Sequence, residues 1–251
     1  MLQTKNLPPF LVLAPQIAGA WCVDAGAALA AAACDPRPAI VVGGTGLYFE
    51  ALTKGLAAVP TISEDIRAAV KARLTSQGAV ALHAELVRAD PVMAQRLQPG
   101  DRSRIARALE VVLATGRSLS DWHRDGMPPA LDASHAIKIF LAPDRDQLRR
   151  RIAARFAAML AAGALEEIRT LAARGLDPAL PAMKAHGVPW LTRHLAGEIT
   201  LADAALGGVG DTWRYTKRQT TWFRNRMPGW TWSEPEAAEA LVLREISRRP
   251  A

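Results

Sequence analysis

The stretch AIVVGGTGLYFEALTK, residues 39–54, decides the predicted fold of this chain. Residues 39–42 form a short apolar run rich in β-branched side chains, which predicts a buried strand. Residues 47–54 have the spacing of a helix. The four residues between them, Gly43-Gly44-Thr45-Gly46, are therefore predicted to form a tight strand-to-helix turn.

This turn has the composition of an anion-binding site. Gly43 and Gly44 allow the backbone to approach a ligand closely, and the start of the following helix offers N–H groups without intrahelical partners. Thr45 adds a hydroxyl at the same point. A structural role is the alternative, in which the segment is a tight turn and Thr45 only caps the helix.

Composition indicates a helix-rich protein with a polyanionic partner. The net charge is +7, the pI is near 10, and half of the residues are apolar. No window reaches the roughly 18 uninterrupted apolar residues of a membrane span, and the first residues do not fit a secretory signal. The histidines lack metal-ligand spacing, which argues against a zinc site. We therefore expect a cytoplasmic protein with no membrane partner.

Basic and aromatic residues alternate over residues 212–226, and no acid interrupts them. Such a mixture can neutralise phosphates and stack bases. It also fits an amphipathic helix whose aromatic side chains face the core. We favour the core for the aromatic residues and an anion for the arginines.

Further along, the pattern predicts an α/β core interrupted by helices. Residues 60–134 show no strand signal and read as an all-helical insertion, with helices beginning at Ser63 and spanning about 79–88, 91–97 and 101–114. HAIKIFLA, residues 135–142, predicts a strand that returns to the sheet. The long helix after it carries an apolar stripe of Ile152, Phe156, Met159 and Leu160.

The predicted fold class is thus α/β, a small parallel sheet carried by the strands at 39–42 and 136–142. Three segments follow from it. Residues 1–59 form a partial α/β core, 60–134 the helical insertion, and 135–251 the return strand with the C-terminal helices of the core.

Four blocks, in order, resemble the tRNA dimethylallyltransferases. They are GGTGLYFEAL, DRSRIARALEVVLATGRSLSDW at 101–122, RIAARFAAMLAAGALEEI at 151–168 and RYTKRQTTWFR at 214–224. The resemblance runs from about residue 36 to about 232. It implies a P-loop NTPase-like core, a helical insertion that grips the anticodon arm, and transfer of a dimethylallyl group from dimethylallyl diphosphate to N6 of an anticodon-loop adenosine.

The chain departs from this family at its beginning. Members open with a phosphate-binding loop of the GPTASGKS type, followed by an aspartate that acts on the target adenosine. No G-x-x-x-x-G-K-[ST] motif occurs in this sequence. We therefore expect an N-terminally truncated core, and weaker stabilisation of the leaving group, since preorganised donors are commonly worth ~3 kcal/mol each.

The resemblance assigns roles to individual residues. Thr45 falls in the reaction channel and, with Arg155 of R-I-x-x-R-F, is the predicted catalytic pair; Arg155, Gly43 and Gly44 are predicted to bind the diphosphate. The predicted tRNA contacts are Thr45, Arg67, Ser103, Arg104, Ile105, Ala106, Arg107, Lys184 and His186. Surface roles are the alternative for the arginines, and a structural role for His186. Trp213 stands where an arginine is frequent in the family.

The implied partners are the tRNA anticodon stem-loop and dimethylallyl diphosphate, with Mg²⁺ as cofactor by resemblance. We expect a monomer. Three other interpretations stay open: a non-catalytic tRNA-binding member of the same family, a nucleotide-binding enzyme that uses GGTG as its cradle, and a poorly folding fragment with an exposed sheet edge.

Overall fold

The computed structural model of the chain describes residues 18–35, 37–178 and 180–248, and these are mainly helical. They divide into two compact units. Unit 1 comprises the described residues up to 42 together with 47–134, and unit 2 comprises 43–46 with the described residues from 135 onward.

The elements follow one another as eleven α-helices and two short strands within these residues. The helices of unit 1 are α1 Ala18–Ala32, α2 Gly46–Lys54, α3 Glu64–Ala89, α4 Pro91–Arg96, α5 Arg102–Thr115 and α6 Leu119–Asp125, of which α2 begins with one residue of unit 2, Gly46. In unit 2 they are β1 Ile139–Leu141, α7 Arg145–Ala161, α8 Ala164–Ala173, α9 Val188–Leu195, α10 Leu201–Arg226, β2 Thr231–Ser233 and α11 Pro235–Ser247. Single 3₁₀ turns lie at Ala133–His135 and Ala182–Lys184.

The predicted helices between residues 60 and 134 are confirmed, and local signals explain their ends. Ser63 caps α3, and Gly116 ends α5 in the left-handed conformation that favours glycine (φ 68°). Ser118 accepts the backbone N–H of Asp121 at 3.0 Å, as expected for an N-cap. Within α3 the backbone of Gly78 is not helical (φ 80°), so two of the predicted helices meet there at a kink.

The core of unit 1 forms where α3 packs against α5. Leu82, Leu86 and Ile105 are completely buried there. The buried carboxylate of Asp90 accepts the backbone N–H groups of Met93 (3.0 Å) and Ser120 (2.9 Å), so one side chain joins the starts of α4 and α6. Both oxygens are satisfied, as a buried carboxylate requires.

The predicted strand at 39–42 is wrong. These residues have no regular structure, and Ile40 and Val42 are 77% and 87% exposed. A strand needs a neighbour for its backbone N–H and C=O groups, and none of the described residues pairs with this segment. The preceding helix, α1, contacts α2: the ring of Trp21 stacks on that of Tyr48, with centroids 4.7 Å apart.

The predicted return strand is confirmed as β1, and its partner is β2 near the end of the chain. The two strands are parallel, with Ile139 opposite Thr231. The sequence pattern predicted no strand at 231–233. Phe140 packs against Trp232 and against Phe223 at the end of α10, which fixes this helix to the sheet.

The long helix after β1 follows its predicted stripe only in part. Ile152 and Phe156 of α7 are buried, whereas Met159 is 42% exposed. Phe156 joins α8, α9 and α10 in the second core, with Ile168, Val188, Leu191 and Ala204. The division into 1–59, 60–134 and 135–251 stays a prediction.

Candidate active site

The Gly43–Gly46 turn belongs to unit 2 and is held by side chains near the end of α10. The Nε2 group of Gln219 donates a hydrogen bond of 2.7 Å to the carbonyl oxygen of Gly44. The indole of Trp222 lies against Gly46. Gln219 and Trp222 are three residues apart, so they share one face of the helix. The face of α10 that carries Gln219 and Trp222 therefore contacts the turn.

Close approach explains why glycines stand here. A Cβ atom on Gly44 would lie 2.5 Å from Nε2 of Gln219, and one on Gly46 would lie 2.7 Å from Cζ3 of Trp222. Neither glycine has a positive φ. The absence of a side chain, and not unusual backbone geometry, is therefore what these positions require.

Thr45 presents its hydroxyl to solvent at the start of α2. The residue is exposed, and its side chain has no hydrogen-bond partner among residues 18–35, 37–178 and 180–248. The first N–H groups of α2 have no intrahelical acceptors. The hydroxyl can donate a hydrogen bond to an anionic group.

Arg155 lies on α7, between the buried residues Ile152 and Phe156. It is exposed and forms no ion pair with the described residues. Phe156 is packed tightly: Cβ atoms on Gly187 and Gly208 would come within 2.9 Å and 2.6 Å of its ring. This packing fixes the segment of α7 that carries Arg155.

Contacts along α7 and α10 show that the two helices run antiparallel. Phe156 meets Gly208, whereas Arg149 and Arg145 lie over Trp213. Arg155 is therefore level with the early part of α10, and Gln219 lies about 16 Å farther along that helix at 1.5 Å per residue. The structure shows no direct contact between Arg155 and the glycine turn. Their shared role in diphosphate binding stays a prediction.

Lys184 ends the 3₁₀ turn Ala182–Lys184, and His186 follows it by two residues. Both are exposed, and the ring of His186 is 5.2 Å from that of Tyr215. Asp211 of α10 accepts a hydrogen bond of 2.6 Å from Nε1 of Trp190 and pairs with Arg214. Partial burial alone would raise the pKa of Asp211, but these two donors and nearby His186 hold that pKa below its ordinary value.

Comparison with known proteins places this geometry in a family. Residues 14–226 match the profile described as IPP transferase. The tRNA dimethylallyltransferase of Nitrobacter hamburgensis is 63% identical over 225 residues, which are 90% of this chain and 71% of the relative. The chain belongs to the IPP transferase family.

Solved structures of IPP transferases show the same fold. The tRNA isopentenylpyrophosphate transferase of Bacillus halodurans is 30% identical, with a TM-score of 0.54; the match covers 86% of this chain and 66% of that one. A eukaryotic dimethylallyltransferase acting on tRNA gives a TM-score of 0.69 at 21% identity, covering 94% of this chain and 64% of that one, and this likeness shows the fold alone. The predicted class, a P-loop-like parallel core with helical additions, is confirmed.

The predicted tRNA contacts of this IPP transferase are divided between the two units. Unit 1 carries Arg67 and residues 103–107. Ser103, Arg104 and Arg107 are exposed and Ala106 is partly buried. Ile105 is completely buried in the core of unit 1. The helical spacing that exposes Arg104 and Arg107 turns the side chain of Ile105 inward, and the assignment of residue 105 to the tRNA contact stays a prediction.

The arginines of unit 1 have acidic partners one turn away. Their nitrogens lie 3.8 Å (Arg67–Glu64), 3.3 Å (Arg104–Asp101) and 3.6 Å (Arg107–Glu110) from carboxylate oxygens. Exposed pairs of this kind contribute little to stability, about 0–1 kcal/mol each. They do reduce the net charge that this surface offers to a polyanion.

The described residues do not form a metal centre. No group of three or more His, Cys, Asp or Glu side chains within them could hold an ion. Mg²⁺ is often bound by only one or two carboxylates together with substrate phosphates.

Sequence reasoning missed the residues that support the turn. The signal was present in RQTTW, where a glutamine and a tryptophan are spaced at i, i+3, but nothing local indicated that they would meet residues more than 170 positions earlier. In the part of the chain that the structure describes, no helix combines the length and apolar character that crossing a membrane needs.

Proposed function

We propose that this chain transfers a dimethylallyl group from dimethylallyl diphosphate to N6 of an adenosine in the anticodon loop of tRNA. The observation that carries the proposal is the 63% identity, over 90% of the chain, to a relative named tRNA dimethylallyltransferase. Family membership supports the same reaction.

The chemistry requires one bond to form and one to break. The exocyclic N6 of adenosine attacks C1 of the dimethylallyl group, the C1–O bond breaks, and diphosphate leaves with the electron pair while N6 loses a proton. The exposed hydroxyl of Thr45 is suited to the negative charge that develops on the departing oxygen. Arg155, exposed and without an ion pair to any residue that the structure describes, can bind phosphate oxygens with its planar guanidinium.

The target base has to leave its stack before N6 can be reached. The anticodon loop is single-stranded, which lowers the cost of exposing the base. We assign the exposed residues among the predicted tRNA contacts to the RNA. They are Lys184 and His186 in unit 2, and Arg67, Ser103, Arg104 and Arg107 in unit 1. Their charges and donors suit phosphate and sugar oxygens.

The proposal also includes Mg²⁺ bound mainly through the diphosphate oxygens, a monomeric state and a cytoplasmic location. Each is an inference from the family, and none is needed for the roles given to Thr45 and Arg155.

One observation favours a second function, binding of tRNA without transfer. The apolar segment 39–42, directly before the turn, is exposed and is not held in a sheet by the described residues. A turn anchored on one side only would hold the leaving group less rigidly, and misplacement by about 1 Å can reduce rates 10²-fold.

A transfer assay read by mass spectrometry distinguishes the two functions. The chain is incubated with Mg²⁺, dimethylallyl diphosphate and an anticodon stem-loop, beside the Thr45→Ala variant. A gain of one dimethylallyl group with the parent chain, strongly reduced in the variant, supports the enzyme. Bound but unmodified RNA in both samples supports the binding protein.

A further inference from the structure

A cluster of cations around one indole ring lies outside the residues assigned so far. Arg145 and Arg149 of α7 and Lys217 of α10 surround Trp213 of α10. The Cζ atoms of Arg145 and Arg149 lie 5.8 Å and 5.0 Å from the ring centroid, and Nζ of Lys217 lies 5.6 Å from it. We refer to these four residues as the Trp213 cluster.

Helical spacing on two antiparallel helices builds this cluster. Arg145 and Arg149 are four residues apart on α7, and Trp213 and Lys217 are four residues apart on α10, so each pair shares one face. The indole is partly buried, whereas the three cations are exposed. Cation–π attraction to the ring offsets part of their mutual repulsion. The ring thus holds three positive charges together at the surface.

The three cations of the Trp213 cluster differ from the ion-paired arginines elsewhere in unit 2. Among the described residues no carboxylate lies within ion-pairing distance of Arg145, Arg149 or Lys217. Asp144 and Asp146 are close in sequence, but Asp144 caps α7 by accepting the backbone N–H groups of Asp146 and Gln147. The positive charge of the cluster is therefore available to an external anion.

We propose that the Trp213 cluster binds the phosphodiester backbone of the tRNA substrate. This inference rests on the proposed function and adds to it a contact surface in unit 2. An RNA backbone fits better than a single diphosphate because the cations are exposed and are presented by two helices, which suits several phosphates. Phosphate contacts of this kind position the RNA without reading its sequence.

Trp213 has a specific part in this proposal. Its indole carries no charge but lies next to three cations, Arg145, Arg149 and Lys217. The ring therefore orients positive charge that the cations themselves supply to the phosphates.

The test is the salt dependence of binding to an unmodified, fluorescently labelled tRNA. The logarithm of the association constant falls linearly with that of salt concentration, with a slope set by the number of phosphates neutralised. The triple variant Arg145→Gln, Arg149→Gln, Lys217→Gln should reduce the magnitude of this slope by about one for each cation lost.

A matched variant controls for the change in overall charge. Arg169, Arg193 and Arg248 are exposed arginines of unit 2 that pair with Glu166, Glu198 and Glu245. Replacing all three by Gln removes the same charge and should leave the slope nearly unchanged. An equal effect of the two triple variants would overturn the proposal, because general charge would then explain the binding.

A second measurement needs no variant, so it does not depend on the folding of one. Acetylation of Lys217 in the parent chain is followed by mass spectrometry with and without tRNA. Protection of Lys217 by tRNA supports the cluster, and unchanged labelling in the presence of bound tRNA contradicts it.

The outcomes separate this inference from the proposed function. If the parent chain binds and modifies tRNA while the cluster variant keeps the full slope, the inference fails and the function stands. If the variant loses affinity for inorganic pyrophosphate but not for tRNA, the cluster is a diphosphate site and the inference fails. A parent chain that does not bind tRNA at all contradicts both.

Discussion

Two sets of basic residues, one in each unit, have different electrostatic settings. In unit 1 Arg67, Arg104 and Arg107 each lie near a carboxylate one turn away. In unit 2 the cations of the Trp213 cluster and Arg155 have no acidic partner among the described residues. The comparison teaches that a count of positive residues is a poor guide to where a polyanion binds, because local ion pairs decide how much of the charge is available.

The largest expected effect is at the turn that unit 2 supports. Gly46→Ala would place a Cβ against the ring of Trp222, and overpacking of this kind typically costs about 1–3 kcal/mol. We expect transfer to fall by about 10²-fold because the turn is displaced from its productive position. Gly100→Ala in unit 1 is the control, since open space surrounds that position. Equal activities of the two variants would show that the Trp222 contact is unimportant.

A smaller effect should follow from removing the hydrogen bond to the turn. Gln219→Ala leaves the Gly44 carbonyl without its side-chain donor. Since such a bond contributes about 0.5–1.5 kcal/mol, kcat/KM should fall by about two- to tenfold. Gln219→Glu should behave similarly, because a carboxylate cannot donate.

Gln147→Ala, a change of the same type on α7, serves as the matched control for Gln219. Steady-state kinetics with a stem-loop substrate gives the comparison. Unaltered kinetics for Gln219→Ala would mean that the turn keeps its position without this bond.

The paired arginines of unit 1 can be released to test the electrostatic comparison directly. The double variant Asp101→Asn, Glu110→Gln removes the partners of Arg104 and Arg107, and Asn can still cap α5. Exposed pairs are worth about 0.2–1 kcal/mol, so tRNA affinity should rise by about two- to fivefold if these arginines face the RNA.

Glu166→Gln with Glu198→Gln gives the same charge change in unit 2 and is the control for this experiment. Fluorescence anisotropy at fixed salt is sufficient. A similar gain in the control would attribute the effect to net charge and not to the position of Arg104 and Arg107.

The smallest expected effect concerns Asp211, whose pKa is held below its ordinary value in the folded state. The unfolded chain then takes up this proton at a higher pH than the folded one. The free energy of unfolding should therefore fall as the pH drops below about 4 and through the folded pKa. Urea denaturation from pH 6 to pH 3 measures this free energy, which should fall less for Asp211→Asn than for the parent chain. The same pH dependence in both proteins would mean that other carboxylates determine it.

Local signals made most of unit 1 predictable. Ser63, Gly116 and Ser118 carry their capping roles in their own side chains or backbone preferences, and the apolar spacing of α5 identifies Ile105 and Leu109 as core. The failure at residues 39–42 has a physical reason. An apolar run shows that a segment can be buried, but it does not show what covers it.

The candidate site was predictable only in its local part. The GGTG turn and the exposure of Thr45 follow from neighbouring residues. The contacts of Gln219 and Trp222 with the turn join positions more than 170 residues apart. The strand β2 is only three residues long, which is too short to show a sequence pattern. Such pairings depend on tertiary structure, which periodicity within a short window does not contain.

The pairing of β1 with β2 also has a consequence for the order of synthesis. Ile139 meets Thr231, so the only sheet among the described residues cannot close until about 90 further residues have been made. The contacts of α3 with α4 and α5 are complete much earlier, since they lie within a short stretch of sequence. N-terminal segments fold first on the ribosome. The core of unit 1 can therefore form while β1, which directly precedes α7, still lacks its partner β2.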